Sequence, residues 1–238
     1  VFNVKKKRIL AMLLAVTSCL SLAVSASAAN TVNRKATDFR DFDKSAWYAE
    51  AVSAAVDNGL LYGKSATIID PNGDMTRAEM AAIINRSFGC YVKADISKYK
   101  DVSKDKWYYN DVALAVQMGT YNGRSSSSMA PDSPITRQEA MTVVARALEL
   151  DYDSYSKTDL SAFSDRSEIS NWALPYVRAM VGADYIHGRG KVLAPQDNIT
   201  RAEFAQIFAN IIKSYIAVKG EYVKDHDGNL LVRCTDVT

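Results

Sequence analysis

Residues 76–88 read TRAEMAAIINRSF, residues 136–148 read TRQEAMTVVARAL, and residues 200–212 read TRAEFAQIFANII. Each begins Thr-Arg-x-Glu. In a helix capping box the Thr hydroxyl accepts the third helical N–H, and the Glu side chain returns to the N–H of the cap residue. Glu79, Glu139 and Glu203 therefore have a structural role, and a carboxylate also suits the positive end of a helix. Counted from the Thr, offsets +4, +7, +8 and +12 are apolar in every copy: Met80, Ile83, Ile84 and Phe88, then Ala140, Val143, Val144 and Leu148, then Phe204, Ile207, Phe208 and Ile212. That spacing predicts three core-facing helices.

Outward from these stretches the rest of the chain falls into register. The only tryptophans are Trp47, Trp107 and Trp172, and sixteen residues after each stands a glycine, Gly63, Gly123 and Gly188. A proline follows each glycine at Pro71, Pro131 and Pro195, the third by a loop one residue shorter. Upstream, Phe39-Arg40-Asp41, Tyr99-Lys100-Asp101 and Phe163-Ser164-Asp165 match as aromatic-x-Asp. Val52, Ala55 and Val56 give a second helical stripe, echoed by Val112, Ala115 and Val116 and by Val177, Met180 and Val181. Gly59 and Gly119 sit where a helix ends, and Asp184 takes that place in the third unit, so its helix end is expected to differ. The chain thus divides into repeats at 36–90, 96–150 and 160–215, each with two helices, and stacking buries what one repeat cannot bury alone.

Residues 1–28 read as a secretory signal peptide. Lys5, Lys6, Lys7 and Arg8 precede the apolar run Ile9 to Val24, and Ala26-Ser27-Ala28 is a small-x-small cleavage site. The run is short for a membrane anchor. Val16-Thr17-Ser18-Cys19 loosely matches a lipobox, which would lipidate Cys19 instead. After cleavage no apolar stretch long enough to span a membrane follows, and the two cysteines left, Cys90 and Cys234, stand open between a disulfide and free thiols. Residues 216–238 form a tail in which Tyr222-Val223-Lys224 and Leu230-Leu231-Val232 flank Asp227-Gly228, a hairpin signal. Asp225, Asp227 and Asn229 lack the bidentate Glu of a calcium loop.

The 238 residues carry a formal net charge of +2, too weak to point to nucleic acid or an anionic membrane. Two histidines leave little room for metal or triad chemistry, and the expectation is no cofactor and no metal site. Gly-x-Ser-x-Gly, His-Glu-x-x-His and phosphate-loop motifs are absent from the sequence, so the chain reads as a non-enzyme.

Three recurrent residues retain two readings. Arg77, Arg137 and Arg201 put a cation at the first helical position, where the macrodipole disfavours it. Either the guanidinium and free helix N–H groups make an anion site, or the arginine pairs internally, with Asp41, Asp101 or Asp165 as partners. The indoles of Trp47, Trp107 and Trp172 are packing anchors or flat platforms for a sugar ring. Gly63, Gly123 and Gly188 serve a turn, or let backbone approach a ligand. Three copies of such a set suit a repetitive polymer bound with avidity.

This pattern resembles the S-layer homology domain family over about residues 36–215. The marks are aromatic-x-Asp, the Trp-led helix, the glycine at +16, Thr-Arg-x-Glu, and aliphatic-x-Pro at Ile69-Asp70-Pro71, Met129-Ala130-Pro131 and Leu193-Ala194-Pro195. The family usually has Phe where Ile69, Met129 and Leu193 stand, and Ser125 to Ser128 lacks its Asp-Gly turn. The resemblance implies an all-α, pseudo-threefold trimer of repeats around a central three-helix bundle. It implies a secreted protein of the bacterial cell wall, whose inter-repeat grooves bind an anionic secondary wall polysaccharide carrying pyruvylated N-acetylmannosamine. The family's contacts map onto Arg77, Arg137, Arg201, Trp47, Trp107, Trp172, Gly63, Gly123 and Gly188. Asp41, Asp101 and Asp165 also map, with a capping role as their alternative. A wall glycan hydrolase working through paired carboxylates, or an envelope adaptor acting through its tail, are the rival classes. Without residues 1–28 the charge falls from +2 to −2, so recognition of an anionic polymer has to be local.

Overall fold

The three Thr-Arg-x-Glu stretches each open a helix. The computed structural model describes residues 34–88, 91–216 and 229–232. Within them are six α-helices: α1 (Ala49–Asp57), α2 (Arg77–Phe88), α3 (Tyr109–Gln117), α4 (Arg137–Ala147), α5 (Leu174–Gly182) and α6 (Arg201–Ile211). At α2, α4 and α6 the capping box is complete: the Thr N–H donates to the Glu carboxylate at 2.9, 2.9 and 3.0 Å, and the Glu N–H donates to the Thr hydroxyl. Pro175 lies in the first turn of α5, where its missing N–H leaves no gap.

These second helices are buried nearly all round, whereas α1, α3 and α5 bury one face each. Packing crosses the repeat boundaries. The helix α2 lies against α3 of the next repeat, α4 against α5, and α6 returns to α1. Just before the helix starts, Met75, Ile135 and Ile199 join in a closed ring of backbone hydrogen bonds. Ile135 N–H donates to the Met75 carbonyl, Ile199 to Ile135, and Met75 to Ile199, each at 3.0 Å. All three side chains are fully buried. The repeats are therefore all-α and close cyclically, each holding the next.

One expectation needs correction. The end of α5 does not differ from its counterparts: Asp184 takes φ 62°, beside 67° and 72° at Gly59 and Gly119. Its N–H bonds the Val181 carbonyl at 3.0 Å, as Gly59 bonds Val56. Aspartate tolerates the left-handed region better than most residues, so the backbone geometry survives the substitution. The hairpin expected around Asp227-Gly228 falls on residues outside those described. Strand β1 (Ile212–Ile216) pairs with β2 (Asn229–Val232), and the two run parallel. The α6 helix consequently stops at Ile211, one residue short of the predicted stripe.

The signal segment with Cys19, the cysteines Cys90 and Cys234, and Tyr222-Val223-Lys224 lie outside the described residues. Among those described, no helix is long and apolar enough to cross a membrane.

Candidate functional site

Each capping-box glutamate is the centre of a junction between two repeats. Arg201, Arg77 and Arg137 reach across to Glu79, Glu139 and Glu203, with N–O separations of 3.3, 3.3 and 3.0 Å. On the other side of each carboxylate stands a second cation, Lys64 at 2.7 Å, Arg124 at 3.1 Å and Arg189 at 2.6 Å. The inner arginines are only 2–5% exposed, while the outer cations are 33–39% exposed. Burial alone would raise the three carboxyl groups. Hydrogen bonds from the outer cations and the Thr N–H groups, with the arginine charge, hold them below their ordinary value instead. Burial likewise pulls the Arg137 and Arg201 guanidinium groups down, against the opposing pull of Glu203 and Glu79.

The arginine thus pairs internally, with the glutamate of the following repeat rather than with Asp41, Asp101 or Asp165. Its Nε donates to the carbonyl of Met129, Leu193 or Ile69 at 2.8–2.9 Å. The helix-start N–H groups are also committed. Arg77 and Ala78 donate to the Ser133 and Pro131 carbonyls, Arg137 and Gln138 to Asp197 and Pro195, and Arg201 and Ala202 to Gly73 and Pro71. With the third N–H taken by the Thr hydroxyl, the open N–H groups expected at these helix starts are filled by the neighbouring repeat.

Asp41, Asp101 and Asp165 hold the aliphatic-x-Pro turns. Asp41 accepts the N–H groups of Ile69 and Asp70, Asp101 those of Met129 and Ala130, and Asp165 those of Leu193 and Ala194, at 2.6–3.1 Å. The middle residues Asp70, Ala130 and Ala194 have φ of 55°, 53° and 50°, a left-handed conformation made harder by the proline that follows. The glycines at +16 make room for the aromatic of aromatic-x-Asp. A Cβ on Gly63, Gly123 or Gly188 would fall 2.4, 2.5 or 2.8 Å from the ring of Phe39, Tyr99 or Phe163.

The tryptophans stand apart from this internal machinery. Trp47, Trp107 and Trp172 are 63%, 54% and 52% exposed, while the next residue in each case, Tyr48, Tyr108 or Ala173, is buried. The packing anchor is therefore the residue after the indole. Tyr108 donates to Asp132 at 2.9 Å, which ties Trp107 to the turn after Pro131, and burial together with Asp132 pushes its hydroxyl up to about 12.

Each junction therefore gathers an arginine from one repeat with the aspartate-held turn, glycine and glutamate of the next. Sequence reasoning missed the outer cations, although the signal was plain: Lys64, Arg124 and Arg189 each directly follow the recurrent glycine. Among the described residues, no group of His, Cys, Asp and Glu is placed to hold a metal ion.

Comparison with known proteins matches this arrangement. The family model for the S-layer homology domain matches residues 38–81, 98–141 and 162–205. The surface-layer 125 kDa protein of Lysinibacillus sphaericus is 35% identical over 75% of this chain and 15% of its own length. An endoglucanase of a Bacillus species is 26% identical over 87% of this chain and 22% of its own. The cellulosome-anchoring protein of Acetivibrio thermocellus is 28% identical over 60% of this chain and 33% of its own. The chain thus spans at most a third of the length of these relatives.

Proposed function

Because the chain belongs to the S-layer homology domain family, we propose that it is a non-catalytic module that anchors its protein to the bacterial cell wall. Its family and relatives make it an exported, wall-associated protein. The proposed ligand is an anionic secondary wall polysaccharide bearing pyruvate ketals, taken up where neighbouring repeats meet. In this reading Trp47, Trp107 and Trp172 offer their faces to sugar C–H groups. The ketal carboxylate approaches Lys64, Arg124 or Arg189, with Arg77, Arg137 and Arg201 behind them and the turns at Gly63, Gly123, Gly188, Asp41, Asp101 and Asp165 shaping the rim.

The observation that carries this reading is the exposure of all three indoles at one repeated position: beyond the edge contacts of Trp47 with Tyr48 and Trp107 with Tyr108, more than half of each residue stays open to solvent. The outer cations support it too: Lys64, Arg124 and Arg189 stand a third or more exposed, so each junction offers a ligand carboxylate an accessible cation although the chain is mildly acidic without residues 1–28. A hydrolase needs one carboxylic acid with a raised pKa. The recurrent glutamates are held low and serve as caps.

Co-sedimentation with purified wall sacculi tests the proposal. Replacement of all three tryptophans by alanine should abolish retention while leaving the melting temperature unchanged, and one replacement should weaken it in part. Depyruvylated sacculi should retain little protein. Retention that ignores both treatments would overturn the reading. Substitution of Arg77, Arg137 and Arg201 is a poor probe, because it breaks the junctions themselves.

A further inference from the structure

The third repeat departs from the other two in a way that the junctions do not use. Counted from the recurrent aspartate, Arg166 stands where the others have Phe42 and Val102, and its N–H makes the same bond to the carbonyl of the aromatic. Counted from the tryptophan, Arg178 stands where they have Ser53 and Ala113. Two positions that are apolar or small elsewhere thus both carry guanidinium groups here. Neither arginine has a carboxylate within ion-pair distance among the described residues, unlike the arginines of the junctions. The Arg178 Nε is buried and has no hydrogen-bond partner. Arg166 makes one long contact, to the Phe163 carbonyl at 3.4 Å.

Both arginines line one open cavity of about 540 Å³, together with the segment Ser156 to Ser161 that links the second and third repeats. The linker is seated on α5 at Gly182, where a Cβ would fall 2.5 Å from both the Tyr155 ring and the Thr158 hydroxyl. Lys157 adds a third cation to the wall. Its single acid, Asp159, already accepts the N–H and hydroxyl of Ser161 at 2.8 and 2.7 Å. The cavity therefore has two positive charges in excess, a donor awaiting an acceptor, and serine and threonine residues along its rim.

We propose that this cavity is a binding site for a sugar-sized oxyanion, separate from the three repeated junctions, with Arg166 and Arg178 holding the anionic group. Guanidinium forks bind phosphate and carboxylate alike, and the volume lies in the range of small-molecule pockets. The ligand class is accordingly a phosphorylated or carboxylated saccharide unit. The proposal does not depend on the anchoring function argued above.

The test is titration of the full chain with glucose 6-phosphate, glucuronate and neutral glucose, read by amide chemical shifts. Both anions should shift the amides of residues 156–161, 166 and 178, and the tighter of the two identifies the anionic group; glucose should not. The variant R166V/R178A borrows the residues of the second repeat and should bind the anions at least about tenfold more weakly. Arg166→Val alone should weaken binding as well, which keeps the test sound if the double variant folds poorly. Sacculus retention should be unchanged in these variants, and the triple tryptophan variant should still bind glucose 6-phosphate. Equal binding of glucose, undiminished anion binding by the arginine variants, or shifts confined to Lys64, Arg124 and Arg189 would each overturn it.

Discussion

Asp184 holds a position that two other repeats give to glycine, and its backbone obeys them. A left-handed conformation costs an L-residue about 1–2 kcal/mol, less for aspartate, and glycine removes that cost at some loss of unfolded-state entropy. Asp184→Gly should therefore stabilise the fold by about 0.5–1 kcal/mol, visible as a higher melting temperature. A lower one would mean that the exposed contact of Asp184 with His187, 3.1 Å away, matters more than the backbone. At this scale the sequence was most legible where a residue's partner is local. The capping pairs Thr76 with Glu79, Thr136 with Glu139 and Thr200 with Glu203 were readable, since three residues separate each pair. The partner of Arg201 was not, because Glu79 lies 122 residues away and only the cyclic packing brings it near. The strained Asp70, Ala130 and Ala194 were also hidden, since nothing in those side chains demands a positive φ.

At the scale of elements, the starts of α2, α4 and α6 concentrate the electrostatics. Each glutamate has a folded-state pKa below its ordinary value, so it adds stability that is present above the normal carboxylate range and lost as pH falls through the lowered value. Asp111, raised by burial, works in the opposite direction. With three such glutamates against one aspartate, urea melts should show stability declining below about pH 4.5. Glu139→Ala should cost about 2–4 kcal/mol at pH 7, since it removes a cap and leaves Arg77 buried without its partner. It should also flatten the acid decline, and an unchanged decline would place the effect elsewhere. The helices themselves were legible from periodicity and caps. The parallel pairing of β1 with β2 was not, because a turn signal such as Asp227-Gly228 speaks only for its neighbours, and the strand partner is set by where α6 delivers the chain.

At the scale of the whole molecule, the unit of sequence is not the unit of packing. The resemblance implied a threefold arrangement, but the residues alone could not say that α2 leans on α3 while α6 returns to α1. A chain ending at residue 150 would keep two complete repeats of sequence. It would nonetheless lose the partners of α4 and α1, leave Glu79 without Arg201, and break the ring of Met75, Ile135 and Ile199. Such a chain should show no cooperative thermal transition by circular dichroism, and a sharp one would show that adjacent repeats suffice.

That closure also sets an order of events in time. The backbone of Met75 completes its hydrogen bonding only when Ile199 arrives, so the earliest repeat is finished by the latest. Contacts so distant in sequence form slowly, because a long loop must close before they repay its entropy. A chain that threads a membrane pore from its N-terminus would remain unlocked until its sixth helix had passed, and would snap shut only on the far side.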